Sequence, residues 1–150
     1  PFGARFARDR ALLLTGDQVV VCGDEILEKP ESEAEARSFI ARYASTPPRT
    51  VGSCVVTDAA SGAQWAAVDE ASVIFRAAGV PTATVDALIA EGSVFYCAGG
   101  LMVEHELVTP HVERLEGEMD SIMGLCKATA LRLIGEAVSA REGGESCRSR

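Results

Sequence analysis

The chain has 150 residues, of which 47% are hydrophobic and only 5% aromatic, so it is long enough for one domain with an aliphatic core. Its formal net charge of -8, from 14 basic and 22 acidic residues, disfavours binding to the anionic backbone of nucleic acids. No segment approaches the length of a membrane span and no signal peptide opens the chain, so we expect no membrane association. A phosphorylated substrate would need a divalent cation or a local group of basic side chains.

The five cysteines are dispersed along the chain without a CxxC pair. This pattern indicates reduced thiols and a cytoplasmic protein rather than a disulfide scaffold. Neither His105 nor His111 falls at zinc-ligand spacing from a pair of cysteines. We therefore interpret most of the cysteines as small core residues.

The first predicted elements are two strands joined by a tight turn. Residues 11–14 are a continuous apolar run, which is typical of a strand covered on both faces. The stretch "QVVVCGDEIL" predicts a strand, a Gly-Asp turn and a return strand. Pro30 ends the return strand, and Ser32 with Glu35 predicts a capping-box start for the helix "EAEARSFIARYA".

The middle of the chain predicts a hairpin followed by a helix. Residues 51–76 form two apolar-rich runs around a Ser-Gly turn. Residues 80–92 predict a helix, with Thr82 or Thr84 as its cap and Gly92 as its terminator.

The last third predicts a glycine-rich segment, a short strand "HVERLEG" and a helix over residues 121–138. The polar tail, residues 141–150, is predicted to be flexible. No repeat or linker divides residues 1–140, so we predict a single α/β domain around a mixed sheet.

Polar residues interrupt the apolar pattern next to the first hairpin. Asp17 and Gln18 follow "LLLTG", at the predicted carboxyl end of a buried strand, where α/β sheets form ligand crevices. Asp17 could equally be a turn residue that bonds its own backbone. Lys29 precedes a proline and is therefore held extended, so its ammonium projects as a phosphate ligand requires. A solvated lysine at a strand end is the alternative.

Three further segments carry residues with both a functional and a structural interpretation. In "CAGGLMVEHE" the glycines allow a ligand to approach the backbone or simply form a turn, and Glu104 follows an apolar stretch. In "ERLEGEMDSIMGL" the carboxylates, Glu116 among them, offer metal-binding oxygens or a solvated acidic loop. Arg76 closes "SVIFR" and either clamps a phosphate or ends a strand.

In this order, the segments resemble the Maf-type nucleotide pyrophosphatases, also called septum-formation-inhibitor-like proteins. The matching pieces are "GDQVVVCGDEILEKP" with "SEAEAR", then "VIFR", "CAGGLMVE" and "ERLEGEMDSIMGL", within residues 11–138. The resemblance implies an elongated mixed sheet with flanking helices and two lobes around a cleft, similar to the inosine-triphosphate pyrophosphatases. It also implies a house-cleaning hydrolysis of a nucleoside triphosphate to the monophosphate and pyrophosphate, with Mg, Mn or Co as the divalent metal.

The resemblance also implies roles for individual residues. The acid of the family's D-[TQ]-V-V motif falls on Asp17 and the lysine of its G-K-P motif falls on Lys29, which makes both of them catalytic. The implied substrate contacts are Gln18, Glu104 and Arg76, and the implied metal ligands are Asp17 and Glu116.

Gln18, Cys97 and Glu104 are similar to the branch associated with 7-methyl-GTP, UTP and CTP rather than to the dTTP/UTP branch. A carboxylate only accepts hydrogen bonds, so Glu104 would suit a base edge with donors, such as the guanine N1–H and amino group. A glutamine at that position can also donate, which suits uracil or thymine carbonyls.

The sequence departs from the family pattern at its start. The usual first strand, its Ser-x-Ser-Pro-Arg phosphate loop and a Val-Asp-Glu segment are absent, so we expect an unpaired sheet edge. A nucleotide-binding, division-regulating module without turnover is therefore the alternative function, and the sequence is compatible with a homodimer.

Overall fold

The computed structural model describes residues 11–148, with side chains described as far as Glu142, and its five strands form one sheet. Residues 1–10 and 149–150, parts of the predicted domain and tail, lie outside the described residues. The strands are β1 (Leu12–Cys22), β2 (Glu25–Leu27), β3 (Pro48–Asp58), β4 (Gln64–Phe75) and β5 (Val112–Glu116).

The sheet has the order β2-β1-β3-β4-β5, and each strand is antiparallel to its neighbours. The predicted α/β class, with an elongated sheet and flanking helices, is confirmed. We expected a mixed sheet, with parallel and antiparallel pairs, but every pair of neighbouring described strands is antiparallel. The crossover joins β2 to β3, which are parallel to each other but lie on opposite sides of β1, so no two of the described strands are paired in parallel.

In the part of the chain that the structure describes, four α-helices flank the sheet: α1 (Glu33–Arg42), α2 (Thr82–Glu91), α3 (Met119–Ile122) and α4 (Lys127–Arg148). The predicted start of α1 is confirmed, because Ser32 Oγ accepts a hydrogen bond of 3.2 Å from the N–H of Glu35. The predicted threonine cap of α2 is wrong: Pro81 is its N-cap and gives no side-chain hydrogen bond. The predicted end of α2 at Gly92, with φ 86°, is confirmed.

The single helix predicted over residues 121–138 is two helices, α3 and α4. The chain turns between them at Gly124, whose φ of 121° is a conformation that favours glycine. The Oδ2 atom of Asp120 accepts a hydrogen bond of 3.1 Å from the N–H of Lys127, which satisfies one donor at the start of α4. Helix α4 runs to Arg148, through most of the segment predicted to be a flexible tail.

The core lies on one face of the sheet, because the two hydrophobic clusters use the same alternate positions of β1, β3 and β4. One cluster packs α1 and α2 on the sheet; its buried members include Cys22, Phe39, Val73, Phe75 and Leu88. The other packs α4 on the sheet, with Cys54, Val56, Ala130, Leu133 and Ala137 buried.

The expectation that residues 11–14 are covered on both faces is wrong, because Leu13 and Leu14 are 48% and 43% exposed. Among the described strands, β2 pairs only with the last three residues of β1, Val20 to Cys22. The rest of β1 pairs with β3 alone among the described strands, so its other edge is open there, as the sequence led us to expect. No helix in the described part of the chain is long and apolar enough to cross a bilayer.

Candidate functional site

A cavity of about 330 Å³ lies between the helix-covered face of the sheet and the segment 97–104. This is the size range of small-molecule sites. Gln18 of β1 and Glu104 both line it, so the fold brings together two of the predicted substrate contacts. The other lining residues used below are Val20, Tyr43, Arg49, Thr50, Phe75 and Cys97.

The glycine turn forms one wall of the cavity and packs against protein. Gly99 has φ 72°, and a Cβ added there would lie 2.9 Å from both Tyr43 Oη and Val20 Cγ1. The N–H of Gly99 donates a hydrogen bond of 3.1 Å to the carbonyl of Glu28, which joins the turn to the first hairpin. The close approach that the sequence led us to expect for a ligand is therefore made by Tyr43 and Val20.

Tyr43, which sequence reasoning did not place in the site, supports the glycine turn. Its hydroxyl donates to the carbonyl of Gly99, and its ring stacks on Phe75 with the centroids 5.6 Å apart. Burial raises the pKa of the Tyr43 hydroxyl, so this group remains a donor at neutral pH. Tyr43 is the C-cap residue of α1, and its partners on β4 and the glycine turn are defined only by tertiary packing.

Cys97 is close to two of the predicted functional groups, Glu104 and Lys29. Burial raises the pKa of its thiol, and the nearby carboxylate of Glu104 raises it further, whereas the ammonium of Lys29 opposes both effects. The thiol donates to the carbonyls of Ser93 and Val94 at 3.5 and 3.8 Å. Cys97 is therefore a neutral residue near both Glu104 and Lys29.

Asp17 lies in the middle of β1, not at the carboxyl end of a buried strand as predicted, and it is exposed. Its Oδ1 atom accepts a hydrogen bond of 2.8 Å from the N–H of Gln18. Because side chains alternate along a strand, Asp17 and Gln18 face opposite sides of the sheet, and Asp17 does not line the cavity.

Lys29 follows β2 and is exposed. The β1–β2 ladder ends at the pair Val20–Leu27, two residues from Gln18 on one strand and two from Lys29 on the other. No ion pair of the Lys29 ammonium occurs among the side chains that the structure describes. The hairpin thus places the ammonium of Lys29 at the same position along the sheet as Gln18.

Arg76 lies outside the cavity lining, at the end of β4. Its Nε donates a hydrogen bond of 3.1 Å to the carbonyl of Pro110, and its backbone N–H donates 2.9 Å to that of His111. These bonds attach Arg76 to the segment before β5. They favour the interpretation of Arg76 as a structural residue at the end of a strand rather than a phosphate ligand.

Glu116 is on β5 and makes an ion pair of 2.6 Å with Arg114. Strands β5 and β1 are separated by β3 and β4, so their backbones are about 14 Å apart at ~4.7 Å per strand. Asp17 and Glu116 are therefore not brought to one ion. The described side chains also include no group of three or more His, Cys, Asp or Glu residues that could hold a metal ion.

The fold and cavity define an α/β protein in which a β-hairpin, a glycine turn and an acidic side chain enclose a small-molecule pocket. A family model described as "Maf-like protein" matches residues 3–137, so the chain belongs to the family of Maf-like proteins.

Curated relatives in this family carry enzyme names. The 7-methyl-GTP pyrophosphatase of Dictyostelium discoideum is 34% identical over 127 residues, 85% of this chain and 62% of the relative. The dTTP/UTP pyrophosphatase of Salinibacter ruber is 31% identical over 79% of this chain and 57% of its own length. The dTTP/UTP pyrophosphatase of Deinococcus radiodurans is 32% identical over 87% of this chain and 65% of its own length. The chain thus spans less than two thirds of the length of these relatives.

Proposed function

We propose that this Maf-like protein is a nucleoside triphosphate pyrophosphatase that acts on a nucleotide such as 7-methyl-GTP, UTP or CTP. The observation that carries the proposal is a cavity lined by Gln18, Cys97 and Glu104. Lys29, which has no ion pair among the described side chains, is close enough to Cys97 to lower the pKa of its thiol. A base would occupy the cavity while Lys29 meets the phosphates. The names of the relatives support the same reaction.

In the proposed reaction, water attacks the α-phosphorus, the bond from the α-phosphorus to the bridging oxygen breaks, and pyrophosphate leaves with the electron pair. Asp17 would accept the proton from the attacking water. Lys29 would offset the negative charge that builds on the leaving pyrophosphate. Arg76 and Glu116 are assigned no step, because their side chains are engaged elsewhere.

We also propose that turnover needs a divalent cation, which would supply positive charge that a protein of net charge -8 withholds from a triphosphate. No step is assigned to the ion, because the described side chains include no group of three metal-ligating residues. A cytoplasmic location is part of the proposal, and the free thiols of Cys22, Cys54, Cys97 and Cys126 support it.

A second candidate function is nucleotide binding without turnover. The placement of Asp17 outside the cavity lining favours it, because the proposed base and the pocket are on different faces of the strand.

A pyrophosphate-release assay with 7-methyl-GTP, UTP, CTP and dTTP separates the two candidates, with Mg or Mn present and then chelated. We expect release that needs the cation, a loss in kcat of about 10²–10⁴-fold for Asp17→Asn, and a loss of about 10²-fold for Lys29→Gln. Asp24→Asn, which removes an exposed carboxylate of the β1–β2 turn, is the matched control and should leave kcat unchanged.

Thermal stabilisation by nucleotides without any release would support the binding module instead. If nucleotides produced no thermal stabilisation and no pyrophosphate release, both candidates would be contradicted. A strong preference for dTTP would contradict the assignment to the 7-methyl-GTP type.

A further inference from the structure

His105, the residue after Glu104, makes directional contacts with both of its ring nitrogens. Its Nδ1 atom accepts a hydrogen bond of 3.2 Å from the N–H of Leu107. Because a ring nitrogen that accepts a hydrogen bond carries no proton, the ring hydrogen is on Nε2. Nε2 lies 3.0 Å from Oε2 of Glu91 and donates to it. The imidazole therefore joins its own segment to the last residue of α2.

The His105 side chain is enclosed by packed neighbours. It is only 14% exposed, whereas the Glu91 side chain is 51% exposed. Val103 and Val108, on either side of His105 in the sequence, are buried members of the larger hydrophobic cluster. Water competes less for a hydrogen bond whose donor is enclosed, and the carboxylate acceptor strengthens the bond further. The bond therefore holds the ring at a defined distance from α2.

The backbone of His105 also organises the surrounding segment. Its N–H donates a bond of 3.1 Å to the carbonyl of Met102, and its carbonyl accepts bonds of 2.9 Å from the N–H groups of Val108 and Thr109. The hydroxyl of Thr109 donates a bond of 3.0 Å to the same carbonyl. Residues 101–108 contain no helix or strand, so these turn bonds and the link to α2 fix a backbone that has no ladder of its own.

The carboxylate of Glu104 lines the cavity but is not held by the protein. It is exposed and makes no hydrogen bond or ion pair with another described residue. Its position consequently depends on the backbone that carries it, and His105 is the adjacent residue that ties this backbone to α2. His105 itself does not line the cavity.

We propose that His105 is a positioning residue, which places the carboxylate of Glu104 for nucleotide binding through the hydrogen bond to Glu91. The bond restricts the segment before the ligand arrives, which reduces the ordering cost of binding. The other histidine, His111, makes only backbone hydrogen bonds within the described part of the chain, so it has no such role. The inference rests on the proposed function, since it takes the cavity as the nucleotide site.

The test replaces His105 by two amides that each reproduce a different ring nitrogen. Glutamine can place its amide nitrogen where Nε2 lies and reach Glu91. Asparagine can accept the bond from Leu107 but is too short to reach Glu91. In titration calorimetry with 7-methyl-GTP, we expect His105→Asn to weaken binding by about tenfold, the equivalent of one hydrogen bond to a charged group, and His105→Gln to restore most of the affinity.

The kinetic readout separates positioning from chemistry. In the pyrophosphate-release assay, the rise in KM of His105→Asn should exceed its fall in kcat, because the lost bond affects binding more than the chemical step. Circular dichroism shows whether each variant is folded. Glu91 is at the surface, so Glu91→Ala, which removes the same bond from the other side, serves if His105→Asn does not fold.

Two double-mutant comparisons trace the effect to its partners. The double variant of His105→Asn and Glu91→Ala should bind no more weakly than either single variant, because both remove the same bond. In a Glu104→Ala chain, His105→Asn should have no further effect, because the group that it positions is gone. His111→Asn, the same change at the other histidine, and Glu106→Ala, which removes a nearby exposed carboxylate, are the matched controls and should keep the wild-type affinity.

Unchanged affinity in folded His105→Asn and Glu91→Ala, or equal losses in His105→Asn and His105→Gln, would overturn the inference and leave the proposed function intact. A full loss from His105→Asn in the Glu104→Ala chain would also overturn it, since the effect would then not pass through Glu104. Binding with the expected pattern but without pyrophosphate release would support the inference and contradict the proposed turnover. If the wild type bound no nucleotide, both would be contradicted.

Discussion

Gly99 is the residue whose lack of a side chain most directly shapes the cavity. Its positive φ of 72° is one reason for glycine, but the close contacts with Tyr43 and Val20 are a second and independent reason. Gly62, in the β3–β4 turn, has a nearly equal φ of 75° and no atom within 4 Å of an added Cβ. The two glycines therefore separate backbone strain from steric overlap.

Gly99→Ala should lower the free energy of unfolding by about 2–4 kcal/mol, of which about 1 kcal/mol comes from the backbone and the rest from overlap with Tyr43 and Val20. Gly62→Ala should lower the free energy of unfolding only by the backbone contribution, about 1 kcal/mol. Urea denaturation of both variants measures the difference. Equal losses of unfolding free energy in the two variants would contradict a steric role for the contacts of Gly99 with Tyr43 and Val20.

At the scale of elements, a polar pair adds to the hydrophobic packing that attaches α4 to the sheet. Arg141 makes a 2.8 Å ion pair with Asp58, whose side chain is 8% exposed, and it also donates to the carbonyl of Ala11. The Arg141 hydrogen bond is the main cause that lowers the pKa of Asp58, and the N–H of Ala60 adds to it. The pair thus joins the end of β3, the start of β1 and the second half of α4.

The contribution of this pair to stability should depend on pH with a definite sign. A carboxyl whose pKa is lowered by folding stabilises the folded state above its unfolded pKa of about 3.9, and the stabilisation is lost as the pH falls below that value. Asp58→Asn should therefore lower the melting temperature by several degrees at pH 7. The difference from the wild type should shrink below about pH 4.

Glu136→Gln removes an exposed partner of Arg132 on the same helix and is the control, with little expected effect at either pH. A difference between wild type and Asp58→Asn that persists undiminished in acid would contradict the role given to ionised Asp58.

At the scale of the whole molecule, the open edge of β1 is the feature that favours association. Leu12 to Val19 pair with β3 only among the described strands, and Leu13 beside this edge is 48% exposed. An exposed strand edge with apolar side chains is a template for pairing with another chain. We propose that the homodimer compatible with the sequence forms through this edge.

This chain should show a concentration-dependent shift from monomer to dimer in sedimentation velocity at micromolar concentrations. Leu13→Lys should move the equilibrium toward the monomer, because a charge beside an open strand edge opposes pairing. Leu131→Lys, which changes an exposed leucine on α4, is the control and should keep the wild-type equilibrium. A monomer at all concentrations, or equal effects of both variants, would contradict the proposed interface.

The sequence by itself determined much of the local structure, and the family. Ser32 and Gly92 marked helix ends correctly because capping and left-handed termination depend on a few neighbouring residues. The hairpin within residues 51–76 and the short strand before Gly117 were predicted for the same reason, since alternation and turn residues are local. The motifs along the chain indicated the Maf-like family.

Only the tertiary structure decided how these pieces meet. The exposure of Leu13 and the central position of Asp17 depend on which strands flank β1, which an apolar run does not encode. The contact between Gln18 and the Ser121 carbonyl uses a backbone atom and has no side-chain signal in the sequence. Such contacts depend on which distant segments pack together. The pocket, unlike the helix ends, could therefore be described only from the fold.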